Sequence, residues 1–110
     1  MCKCSDNVLS FIQKCVVEQK IRWPYHVNMR MKDRFISRQS IVESYANYEI
    51  IEEYPNDKYL PSYLVRSSFN ENVFHILFAI DAQGDNIRII TAYSPNPEEW
   101  EDNFTKRRHL

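Results

Sequence analysis

"VFHILFAIDAQGDNIRIITAY", residues 73–93, decides the architecture. Both arms are rich in β-branched and aromatic residues and alternate with a period of two, as strands do. Between them, Gln83-Gly84-Asp85-Asn86 contains the one glycine of the chain. A two-residue Gly-Asp loop suits a type II′ hairpin, which wants glycine first. That register pairs Ile80 with Ile89, Phe78 with Thr91, and Asp81 with Arg88 as an opposite-charge pair. It collects Phe74, Ile76, Phe78, Ile80, Ile87, Ile89, Thr91 and Tyr93 on one apolar face. His75, Leu77, Ala79 and Asp81 join Arg88, Ile90 and Ala92 on the other.

Working outward, the same period predicts strands at about 49–54 and 62–69. Pro55 and Pro61 confine their connection to a loop, and Asn70-Glu71-Asn72 supplies the next turn. Tyr63, Val65 and Phe69 then extend the apolar face, while Leu64, Arg66 and Ser68 extend the mixed one. Before residue 49 the period is 3.6. Val8, Phe11, Ile12, Cys15 and Val16 predict a helix over 5–20. Val27, Met31 and Phe35 predict a second over 25–35, started by Pro24. Ser37 is a fitting N-cap for a third, which runs to about Asn47 with Ile41, Val42, Tyr45 and Tyr48 inward. Downstream, Pro95 ends the last strand because it cannot donate to the ladder. Asn96-Pro97-Glu98-Glu99 reads as N-cap to N3 of a final helix, with Trp100 and Phe104 facing inward and Lys106, Arg107 and Arg108 in its last turn. The expected fold is α+β: N-terminal helices packed on one face of a four-stranded antiparallel sheet, then a short C-terminal helix.

The 110 residues suit one domain, 1–110, and 44% hydrophobic content with 14% aromatics can build its core. A single glycine excludes the glycine-rich phosphate loops of P-loop and dinucleotide-binding proteins. Cys2, Cys4 and Cys15, with His109, match no common zinc spacing, so neither metal nor cofactor is expected. No charged leader precedes an apolar core and no apolar run approaches ~20 residues. The expectation is a cytoplasmic protein with reduced thiols and no membrane partner. Net charge is −1, but it is segregated. Residues 20–38 carry Lys20, Arg22, Arg30, Lys32, Arg34 and Arg38 against Asp33. Residues 43–58 carry Glu43, Glu49, Glu52, Glu53 and Asp57 against Lys58. Such segregation can produce a basic face on a neutral protein, or two ordinary solvated surfaces.

Five segments together resemble the bacterial domain-of-unknown-function family 4258. They are "HVNMRMKDR" (26–34), "IS" (36–37), "EIIEEYPND" (49–57), "VFHILFAID" (73–81) and "IRIITAYSPNPEEW" (87–100). The family pattern usually has glycine where Phe35 stands. The resemblance makes 25–106 the core and 1–20 an added helix. It implies small toxin-like proteins encoded beside an antitoxin, similar in architecture to RelE/barnase-like ribonuclease toxins. The function so implied is a metal-independent endoribonuclease toxin, with RNA and a cognate antitoxin or neighbouring gene product as partners. The alternative is a non-catalytic interaction module, an immunity or regulatory partner docking through the acidic 43–58 segment and the first helix. RNA binding without cleavage is a third reading.

Metal-independent RNA cleavage needs a base, an acid, and cations around a phosphorane-like transition state. His75 is the leading acid–base candidate, on the uncovered sheet face beside Arg66 and near Arg88; it reads equally as a strand histidine with no task. His26, Arg30 and Arg34, spaced i, i+4, i+8, line one helix face and can supply a second imidazole and phosphate contacts. Their other reading is a solvated helix face. Tyr93 can stack on a base, or pack at the core rim. Arg107 and Arg108 can touch phosphate, or serve a helix C-terminus. The candidate set is therefore His75, His26, Arg66 and Arg88 for catalysis, with Arg30, Arg34, Tyr93, Arg107 and Arg108 for RNA.

Overall fold

The computed structural model describes residues 3–34, 36–101 and 104–107. Three helices open the chain: α1 (Lys3–Val17), α2 (Tyr25–Asp33) and α3 (Arg38–Glu43), followed by a 3-10 turn at Tyr45–Asn47. Ser37 caps α3 as its chemistry suggests. Its Oγ accepts the Ser40 N–H at 3.0 Å while Ser40 Oγ accepts the Ser37 N–H at 3.2 Å, satisfying two otherwise orphaned donors. The third helix is shorter than its apolar pattern predicts, because the chain tightens into the 3-10 turn before Tyr48. Phe35, where the family pattern has glycine, lies outside the described residues. No helix among the described residues is long and apolar enough to cross a membrane.

The sheet is mixed and five-stranded, in contrast to the expected four antiparallel strands. Its elements are β1 (Ile21–Arg22), β2 (Glu49–Tyr54), β3 (Ser62–Phe69), β4 (Asn72–Asp81) and β5 (Asn86–Tyr93), in the order β1-β5-β4-β3-β2. The extra strand, β1, lies parallel to β5, with Ile21 opposite Ile87. Two residues are too few to show a period, and β1 exists because the return of the chain from α1 brings it against the edge of β5. The Ile87 N–H donates to the Lys20 carbonyl at 3.0 Å. Lys14 and Lys20 then clamp the β4–β5 turn through Asp85, at 3.3 and 2.5 Å.

That turn also departs from expectation. The loop spans residues 82–85, Gly84 does not have a positive φ, and Asp85 takes the left-handed conformation at φ 54°. The register moves accordingly, placing Ile80 opposite Ile87 and Asp81 opposite Asn86. Asp81 and Arg88 still pair, diagonally, at 3.8 Å. The glycine is required for closeness. The Asp81 carboxylate folds over the turn and accepts the Gly84 N–H at 2.9 Å, and a Cβ on residue 84 would lie 2.5 Å from its other oxygen.

Among the described residues the final helix does not form. Asn96 starts it, accepting the Glu98 N–H on Oδ1 at 2.9 Å. After one turn, Trp100 buries itself against the sheet, and the chain runs as a small hairpin, β6 (Trp100–Glu101) with β7 (Lys106–Arg107). Phe104 stands at φ 67°, which no right-handed helix residue adopts. Burying an indole outweighs a helix signal made of one cap and two acids.

The helices cover one face of the sheet. Ile12, Cys15 and Val16 of α1, Val27 and Met31 of α2, and Ile41 of α3 meet Val65, Ile76, Phe78, Ile87 and Ile89 in one cluster. Each such side chain removed from water contributes roughly 1.5–3 kcal/mol. Tyr48 joins them with its phenol donating to the Ile41 carbonyl at 2.7 Å, and burial pushes its ionisation far above the usual range.

Candidate functional site

The opposite face carries the candidate site. In register across β2, β3, β4 and β5 stand Glu49, Arg66, His75 and Tyr93, one directly beside the next. His75 does not project from an uncovered face, as the alternation suggested; it is 0% exposed. The Trp100 ring meets the imidazole edge-on at 4.4 Å and 81°, and the Tyr93 ring does so at 5.3 Å and 68°. Nε2 lies 2.8 Å from the Phe104 carbonyl oxygen and Nδ1 lies 3.3 Å from the Tyr93 hydroxyl. A carbonyl can only accept, so Nε2 carries hydrogen. In the neutral ring Nδ1 is then the acceptor, and the Tyr93 hydroxyl donates to it. The C-terminal segment is the roof that the sequence reading lacked.

Tyr93 reaches this face through a β-bulge. Phe78 pairs with Ile89 but Leu77 pairs with Thr91, leaving Ile90 as an extra residue that reverses the alternation. Thr91 and Tyr93, assigned by strict alternation to the apolar face, therefore lie on the far side with His75. Ala92 takes the helix side and is 2% exposed. A matching bulge in β2 leaves Ile51 unpaired between Ile50 and Glu52.

Away from the roof the face opens into two adjoining clefts. One, of about 440 Å³, is lined by His26, Lys58, Tyr59 and Arg88 over a floor of Ala79 and Ile89. The other, of about 330 Å³, is lined by Glu52, Tyr54, Asp57, Thr91 and Tyr93 over Leu64 and Leu77. Asp57 belongs to both. The loop between β2 and β3 forms the shared wall, tied down by the Ser62 hydroxyl donating to Asp57. Tyr59 at its tip is 85% exposed, with the Lys58 ammonium 5.3 Å from its ring centre.

The structure thus brings His26 and Arg88 together and separates both from His75. Arg66 is half-buried beside His75 and lines neither cleft. Arg30 is exposed on α2 and also lines neither. Arg34 leaves the predicted stripe: its guanidinium donates to the Ala92 carbonyl at 2.7 Å and docks the end of α2 onto β5. Arg107 lies in β7, not in a helix, and Arg108 lies outside the described residues. Sequence reasoning missed Glu52, Asp57, Lys58, Tyr59 and Thr91. The polar run Asn56-Asp57-Lys58-Tyr59 between two prolines was the available signal. Among the described residues no His, Cys, Asp and Glu side chains gather as a metal site. Cys15 is fully buried, and burial followed by the Asp85 charge pushes its thiol up, away from nucleophilic use.

Comparison with known proteins places this geometry in a family. The profile described as Domain of unknown function (DUF4258) matches residues 23–94. The chain belongs to that family. The DUF4258 match includes α2, β2 to β5 and every residue lining the two clefts. It ends before Pro95, so Trp100 and Phe104, which roof His75, lie beyond it. No curated protein and no solved structure matches the chain.

Proposed function

We propose that this DUF4258 protein is a metal-independent endoribonuclease of the toxin type, acting on single-stranded RNA in the cytoplasm and restrained by a cognate antitoxin. The observation that carries this reading is the convergence of His26, Lys58 and Arg88 on one open cleft, from α2, the β2–β3 loop and β5. Imidazole is the side chain suited to moving a proton near neutral pH. The arginine fork and the lysine ammonium suit a phosphate, and exposed Tyr59 offers a stacking surface for a base. Cleavage proceeds by attack of the ribose 2′-hydroxyl on phosphorus as its proton passes to solvent water. The 5′-oxygen leaves on receiving a proton from His26, and a 2′,3′-cyclic phosphate remains. His75 does not touch the substrate in this scheme.

Incubating the purified protein with RNA and analysing fragment ends is the direct test. Fragments ending in 2′,3′-cyclic phosphate are expected, with His26→Ala and Arg88→Ala each lowering the rate about 100-fold or more. Intact RNA, together with normal growth on induced expression, overturns the reading. That outcome favours the non-catalytic interaction module, docking through the acidic 43–58 segment, in which Glu49 and Glu53 of edge strand β2 are exposed.

A further inference from the structure

The cleft that His26, Lys58 and Arg88 share presents mostly apolar surface, from Pro24, Tyr59, Leu60, Ala79, Ile89 and Ile90. A phosphate gains nothing from such walls, because its oxygens lose hydration there without meeting donors. The cations therefore account for part of the cleft, and the apolar remainder calls for an occupant with apolar faces. A carboxylate limits what that occupant is. Asp57 lines the same cleft, and the Ser62 hydroxyl, on a fully buried residue at the start of β3, donates to it. The Asp57 N–H is also tied back, to the Tyr54 carbonyl at 3.3 Å. A carboxylate accepts at about four positions, and Ser62 takes one of them. An aliphatic side chain seated here would strip water from the carboxylate and return no hydrogen bond to it. A flat ring with donors along one edge meets both demands.

We infer that this cleft takes a guanine base of the RNA, with Asp57 accepting from its N1–H and 2-amino group and Tyr59 stacking on its ring. The inference rests on the RNA reading above and names the base selected within it. Of the four bases, only guanine sets two donors side by side on its Watson–Crick edge, the pattern that two carboxylate oxygens match. Adenine and cytosine offer one donor beside a ring-nitrogen lone pair, which a carboxylate repels. Uracil flanks its one N–H with two carbonyls. Tyr59 is 85% exposed at the loop tip, and stacking on such a ring adds binding without choosing between bases. The choice of base therefore falls to Asp57, while Arg88 and His26 meet a phosphate attached to the same nucleotide.

The test titrates the full chain with guanosine, inosine and adenosine 3′-monophosphates, following the Ala79 and Ile89 methyl signals by NMR. The three share ribose and phosphate and differ only in the base. The guanosine nucleotide is expected to bind about tenfold tighter than the inosine nucleotide, which lacks the 2-amino group. The adenosine nucleotide should bind more weakly still. Asp57→Asn should remove the preference for guanosine, since an amide replaces one acceptor by a donor. Tyr59→Ala should weaken all three by a similar factor and keep their order. Ser62→Ala keeps the carboxylate without its tether and should narrow the preference. Asp57 and Tyr59 are exposed, so unchanged signals away from the loop check that these variants keep the fold. Equal binding of the guanosine and inosine nucleotides, or a preference that survives Asp57→Asn, overturns this inference and leaves the RNA reading standing. Binding of none of the three also overturns it, and points to a side chain of a partner protein as the occupant. Guanine-selective binding by a chain that leaves RNA intact upholds the base site and overturns the nuclease alone.

Discussion

On the helix side of β4, Phe74, Ile76, Phe78 and Ile80 are buried among aliphatic and aromatic neighbours in one cluster. One residue along the same strand, facing the other way, His75 is as completely sealed from water as Phe78. The first side contributes through area and fit. The second contributes through matched donors and acceptors, since a buried imidazole with an unmet nitrogen would cost about as much as a lost core contact. The comparison teaches that burial alone does not separate core from site; the number of directed contacts each residue must keep does.

The strongest challenge to that contrast is Phe78→Ala. It removes a fully buried ring from the centre of the helix side and should lower stability by about 3–5 kcal/mol, read as a shift in the urea midpoint at unchanged slope. A loss under ~1 kcal/mol would show that this side is not the principal source of stability. His75→Leu keeps comparable bulk but takes the imidazole away from the Phe104 carbonyl and the Tyr93 hydroxyl, so a loss of roughly 2–3 kcal/mol is expected. If the leucine variant matched the parent, the second side would be an ordinary apolar layer. Ile90→Ala should cost less than about 0.5 kcal/mol, since the bulge residue is half in water, whereas the same change at adjacent, buried Ile89 should cost at least ~2 kcal/mol.

The smallest effect concerns the ties that fasten α1 at the edge. Lys20, and then Lys14, hold the Asp85 carboxyl below its usual range. The folded protein therefore binds that proton more weakly than the unfolded chain. The stabilisation is complete above the ordinary carboxylate value of 3.8 and is lost as pH falls through the lower folded value. Asp85→Asn should melt slightly below the parent at neutral pH, and the two should converge in acid. Because the carboxyl is exposed, the difference should be small and should shrink in high salt. A gap that widened in acid would contradict the clamp.

The long elements were readable from residues because each carries its own period. Ile12, Cys15 and Val16 mark the buried side of α1; Ser37 marks the start of α3; and the run from Val73 to Ile80 marks β4. What escaped was decided by contacts distant in sequence. Ile21–Arg22 becomes a strand by meeting β5. Asn96-Pro97-Glu98-Glu99 carries a true helix start, yet Trp100 is drawn onto His75 and the helix stops after one turn. In the site, His26 and Arg88 were recognised as residue types, and their shared cleft comes from a loop wall whose placement no local pattern encodes. His75 stands out in the sequence as an imidazole in an apolar strand, and its exposure was misjudged because its cover lies 25 and 29 residues further along, at Trp100 and Phe104.

Ile90 holds β5 to two frames at once. Upstream of it, odd-numbered side chains serve the interior; downstream, even-numbered ones do. Deleting this one residue would straighten the strand without shifting its frame: Thr91 would follow Ile89 directly, and Phe78–Ile89, Leu77–Thr91 and His75–Tyr93 would fall into one regular ladder with Tyr93 still beside His75. A strand that takes one extra residue midway thus offers nature, or a designer, a place where polar groups can be revised on one flank while the hydrophobic interior on the other keeps its spelling.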